Sequence, residues 1–192
     1  MTTAEGTADA IALLAFLDAQ RECVLAIVDG LDEDLLTTPV LPSGWTPLGM
    51  IEHLGHAERH WFGEVALGSA APLPWPEDPP GNEEDEDAPY TTSRPPEVVF
   101  AFYRDQIARA NAVVATTPLS ARPVGRHNRE GTEHVTDLRT IMLHMIEETA
   151  PHAGAPGCRP RIARRADRPW PPVARPAART RSRWRRWLSL TS

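Results

Sequence analysis

Four segments of this chain repeat their apolar residues at steps of three, four and seven, and none alternates apolar with polar residues over a useful length. That period belongs to a helix with one buried face, and the lack of alternation leaves no basis for a sheet. In 9–30 the period is carried by Ile11, Leu14, Leu17, Val24, Leu25 and Val28. Asp29-Gly30 ends the segment, and Leu31–Leu36 adds a short helical turn. Pro39, Pro42 and Gly44 then break the chain. Thr46 is placed to cap a second helix, with Pro47 at its first position, where a missing N–H is harmless. This helix should run to about Leu67, with Leu48, Ile51 and Phe62 on one arc and His53, His56 and His60 on another. A third helix spans about 95–116 through Val98, Val99, Phe102, Ala110, Val113 and Val114. A fourth begins at Thr136-Asp137, where the acid suits the helix dipole, and buries Leu138, Ile141, Met142, Met145 and Ile146. The prediction is an all-α fold, a four-helix bundle.

Residues 70–92 have no period and are dense in proline and acid, so they are expected to form an exposed crossover between the second and third helices. The charge is divided along the chain. Every basic residue is Arg; 9 of them stand against 25 acids in residues 1–154, and 11 against one acid, Asp167, in 155–192. In the second stretch Arg, Pro and Ala supply 23 of 38 residues and no apolar period survives, so an acidic domain over 1–154 and a disordered Arg/Pro-rich tail over 155–192 are expected. A membrane span needs about 18 apolar residues in a row, and none are present. The N-terminus, MTTAEGTADA, has no basic region ahead of an apolar core. Cys23 and Cys158 are far apart and form no redox or metal motif, which favours a cytoplasmic protein with reduced thiols.

No nucleophilic triad, phosphate loop or dinucleotide fingerprint occurs, and Gly44, Gly49, Gly55 and Gly63 are too dispersed to cradle a phosphate. The residue types that could carry chemistry are histidines and one carboxylate on two helices. The second helix offers His53, His56 and His60; the fourth offers His144, Glu148 and His152. Glu148-x-x-x-His152 sets two ligand atoms one turn apart. Imidazole and carboxylate suit zinc and other first-row divalent ions, and a bundle core lets facing helices aim at one point. The alternative is a set of surface histidines. His60, beside Arg59, and His134 read as ordinary surface residues. His53 lies among apolar neighbours in mid-helix and needs a partner if buried.

The stretches WTPLGMIEHLGHAERHWF (45–62), VVFAFYRDQIARANAVVA (98–115) and TDLRTIMLHMIEETAPHAG (136–154), with LLAFLDAQRECVLAIVDGL (13–31) and the PLPW loop, resemble the DinB-like superfamily and its actinobacterial branch of mycothiol transferases. The resemblance covers most of 10–154. It implies a DinB-like four-helix bundle with a divalent metal, usually zinc, held by three side chains. One is a His in an Ile-x-His-Leu setting on the second helix, here His53. The others are one turn apart on the fourth, Glu and His in the mycothiol-dependent maleylpyruvate isomerases, here Glu148 and His152. It further implies a low-molecular-weight thiol such as mycothiol as cosubstrate, whose thiolate attacks a small electrophile. His56 and His144 are then candidates for proton transfer or for support of the ligands. The partners expected are a small-molecule thiol and an electrophile, with no membrane, no nucleic acid and a homodimer as the assembly.

The chain departs from that pattern twice. Pro151 stands inside the Glu148–His152 turn, removes the bond to residue 147, and is expected to kink the helix and displace His152. The tail lacks the family's amphipathic continuation and reads instead as out-of-frame, GC-rich coding. Arg165-Ala166-Asp167-Arg168 can be encoded CGA GCT GAT CGA, and one base on gives Glu-Leu-Ile-Asp, the family's ending. On this reading the fourth helix is truncated near Gly154 and the enzyme impaired. A competing reading takes RTRSRWRRW as an Arg/Trp segment on a non-catalytic bundle, binding nucleic acid or another polyanion.

Overall fold

A computed structural model of the chain describes residues 3–39, 44–76, 89–127 and 134–153. The tail over 155–192 and the acidic stretch 77–88 lie outside the described residues. Among the described residues all regular structure is helical: α1 (Thr3–Val28), the short α2 (Glu33–Thr37), α3 (Pro47–Glu58) continuing as a π-helical segment (Arg59–Ala66), α4 (Pro96–Thr116) and α5 (Leu138–Ala153). None of these helices is long and apolar enough to cross a membrane.

The helix starts follow local chemistry. The Thr46 side chain accepts the Gly49 N–H at 3.0 Å, with Pro47 at the first helical position. Asp32 does the same for α2 through the Leu35 N–H, and Asp137 accepts the Thr140 N–H at the head of α5. α1 begins at Thr3, six residues before the apolar period that predicts it, and gives way to Gly30 at φ +79°. The second long helix reaches Ala66 as expected, but its last eight residues adopt the wider π winding. Trp61, Phe62, Val65 and Ala66 all stay buried there. The apolar pattern is compatible with either winding, so the period alone does not reveal the change.

α3 packs most extensively on α4, and α1 on α5, with the π segment touching both α4 and α5. Two apolar layers result. One gathers Leu17, Trp61, Phe62, Val65, Val113, Leu138, Ile141, Met142 and Met145; the other Val24, Val28, Leu36, Leu48, Ile51, Leu54, Val99 and Tyr103. A buried ionic layer falls between them along the helices. Arg21 of α1 donates from Nε and a terminal nitrogen to both Glu58 oxygens at 2.7 and 2.6 Å, and reaches Asp18 at 2.8 Å and Asn111 of α4 at 2.9 Å. Burial works against both charges. It raises the Glu58 carboxyl above the usual range, while Glu58 and Asp18 hold Arg21 above its ordinary value despite it.

Past the undescribed acidic stretch the chain returns against the start of α3. The Thr46 N–H donates to Tyr90 O at 3.0 Å. A Cβ on Gly49 would lie 2.2 Å from that same carbonyl oxygen, so only glycine lets the returning strand of chain come so close. This contact fixes Tyr90 beside the α3–α5 gap.

Candidate metal centre

His53 sits in the middle of α3, and Glu148 and His152 sit one turn apart near the end of α5. One ligand atom from each lies within 4.8 Å of the other two. His53 Nε2 is 3.1 Å from Glu148 Oε1, and both side chains are about one-fifth exposed. The pattern of α3 explains the aim: Ile51 and Leu54 are buried, which turns His53 to the edge of the core facing α5. On α5, Met145 and Thr149 are buried and Glu148 and His152 flank that stripe.

Two aromatic side chains wall the group. Tyr90 stacks on His53, with ring centroids 3.8 Å apart and planes 16° from parallel. Trp45 stacks on His152 at 5.4 Å and touches Tyr90 at 4.3 Å. The charge states are those a divalent cation needs. Burial works against the Glu148 carboxylate, but the hydrogen bond from His53 and the fields of His53, His152 and His144 bring it below the usual carboxylate range. Burial, reinforced by His53, lowers His152 and keeps its imidazole neutral. An anionic carboxylate and the neutral His152 imidazole are donors a metal takes readily, and His53 Nε2 lies beside them, hydrogen-bonded to Glu148. The donor set therefore fits a divalent ion.

Pro151 does not have the expected effect. α5 continues through it to Ala153, and His152 keeps its place beside His53 and Glu148. The missing 151→147 bond falls in the last turn, so no further turn has to be re-registered after it.

The other predicted residues lie outside the group of three. His56 is on the next turn of α3, 3.8 Å from Glu52 Oε1 and against Phe102 and Trp75. Glu52 also takes a 2.6 Å bond from Arg94, whose guanidinium covers the Trp75 ring. His144, a turn before Glu148, packs on Trp61 at 4.3 Å, and burial lowers its pKa. His134 is exposed, as expected. His60 is not an ordinary surface residue: both its ring nitrogens are hydrogen-bonded, to Glu64 and to His127. Sequence reasoning missed Trp45 and Tyr90. The signal available was one aromatic residue next to each of two proline-marked breaks, at 45–47 and 89–90.

A family model described as mycothiol-S-transferase matches residues 12–156, well over half of the chain. No curated protein and no solved structure matches it.

Proposed function

The chain belongs to the mycothiol S-transferase family, and from that premise we propose that it joins the thiol of mycothiol to a small electrophile at a divalent-metal centre held by His53, Glu148 and His152. The observation that carries the reading is the convergence of these three side chains from two helices within 4.8 Å, inside an aromatic wall. Zinc is the ion proposed. Two histidines and a carboxylate, with a position left for water or substrate, are a common catalytic zinc set. A divalent ion there supplies a Lewis acid that favours thiolate over thiol at neutral pH.

The protein's own groups do the rest. Glu148 brings the negative charge that offsets a cation, and its contact with His53 Nε2 keeps the two donors side by side. Trp45 and Tyr90 exclude water from one side and offer flat apolar surface to the electrophile. In the transfer the S–H bond breaks and an S–C bond forms. The displaced group leaves with its electron pair, or the neighbouring atom of a double bond takes up the pair and a proton. His144, held neutral by burial, is the proposed acceptor of the thiol proton. His56, on the turn after His53, is the second proton-transfer candidate. The working domain is proposed to end near Gly154.

Metal-loaded protein mixed with mycothiol and a panel of small electrophiles tests this. Loss of thiol and appearance of the S-conjugate, by mass spectrometry, above the uncatalysed rate is expected for at least one electrophile. Conjugation at the uncatalysed rate across the panel counts against it.

A further inference from the structure

We propose that His60 and His127 form a second metal site, separate from the His53–Glu148–His152 group, that takes a borderline divalent cation such as Cu2+, Ni2+ or Zn2+. Three of the seven histidines pack against Trp61. His60, His127 and His144 lie 5.5, 4.5 and 4.3 Å from its ring, and His134 lies 6.5 Å from His144.

Within this cluster one pair has the geometry of a chelate. His60 donates Nδ1–H to Glu64 Oε2 at 2.7 Å, which leaves its Nε2 with a lone pair. That Nε2 faces His127 Nδ1 at 2.7 Å, with one proton between two imidazole nitrogens. A cation in place of that proton needs metal–nitrogen distances of about 2.0–2.1 Å, which put the two nitrogens about 3.3 Å apart in tetrahedral geometry. The pair must open by less than an ångström. A carboxylate behind a ligating imidazole is the usual outer support of a metal-bound histidine, because it fixes the ring and raises its basicity. Glu64 is itself held by Arg59.

The two ligands come from different parts of the chain, and the fold locks them together. His60 is on the π segment, and π geometry in a helix frequently accompanies functional sites. His127 lies in the connection between α4 and α5, two residues after a stretch pinned to that segment by the Gly125 N–H on Val65 O at 2.9 Å and the Val124 N–H on Ala66 O at 3.2 Å. A Cβ on Gly125 would lie 2.0 Å from Glu64 O, so only glycine permits the approach that sets His127 opposite His60. The His60 and Glu64 side chains are one-third and two-fifths exposed, so water can complete the coordination sphere.

The test is Cu2+ titration of the metal-stripped full chain, with bound metal counted by equilibrium dialysis and tryptophan emission followed in parallel. The wild type is expected to bind two equivalents. His127→Ala and His53→Ala should each retain one. Glu64→Gln should keep the second equivalent with affinity weaker by about tenfold or more. Trp61→Phe should keep both equivalents but lose the quenching that accompanies the second. Circular dichroism confirms that each variant is folded. One equivalent in the wild type, removed by His53→Ala and untouched by His127→Ala, would overturn the proposal. So would a second equivalent indifferent to both His127→Ala and Glu64→Gln.

Discussion

His53 Nε2 and Glu148 Oε1 lie 3.1 Å apart although 95 residues separate them in the chain. One comes from the middle of α3 and the other from near the end of α5. Their contact joins two helices that otherwise touch each other sparingly, beside Trp45 and Tyr90.

The Arg21–Glu58 pair should dominate the response of the core to mutation. Both side chains are almost fully buried, so removing one partner strands a charge in low dielectric. Arg21→Ala should lower the unfolding free energy by about 3–5 kcal/mol, whereas Arg21→Met with Glu58→Met should recover most of that loss. Urea denaturation of the three proteins measures both changes.

His144 should make stability depend on pH on the acid side of neutrality. Burial holds its folded pKa below the unfolded value of about 6.5. Between the two values the unfolded chain binds more protons, so stability rises with pH through that window and is complete above it. As pH falls through the folded pKa the contribution is lost. His152 is lowered in the same sense, so His144→Gln should reduce the acid-side slope without abolishing it. Thermal melts of both proteins from pH 5 to 8 check the sign.

Pro151 should be a pure cost to α5. The helix accommodates it with His152 still in the group, so Pro151→Ala restores one backbone bond without moving a ligand. Stability should rise, by clearly less than the ~3 kcal/mol that a proline costs in a helix interior, with the metal content of the first centre unchanged. A loss of metal in that variant would show that the proline helps to position His152.

Much of the fold was legible because the apolar spacing is a direct consequence of burial. Leu48, Ile51 and Phe62 predict one face of the second helix, and all three are buried. Thr46-Pro47 predicts its start for a reason that holds in any context. The spacing of Glu148 and His152 likewise says that their side chains are one turn apart. What the sequence hid were pairings across distance. Nothing local links Glu58 to Arg21, His60 to His127, or Tyr90 to His53, since each depends on how two separate segments pack. The π winding of 59–66 was hidden for another reason, because Trp61, Phe62, Val65 and Ala66 fit a buried face in either helix type. The Pro151 expectation went astray by applying the mid-helix argument to a last turn.

The boundary proposed near Gly154 predicts that a chain ending at Pro156 keeps the far-ultraviolet helical signal and the metal content of the full chain. That is measurable by circular dichroism and metal analysis on the shortened and full chains. Collapse of the helical signal would show that residues 157–192 belong to the folded unit.

The central claim is S-transfer at the His53–Glu148–His152 centre, and the direct measurement is the rate of mycothiol S-conjugate formation before and after chelation, in wild type and His53→Ala. Wild-type turnover should vanish on chelation and return with added Zn2+, while His53→Ala stays inactive under both conditions. Turnover that survives chelation and is unchanged in His53→Ala would contradict the account.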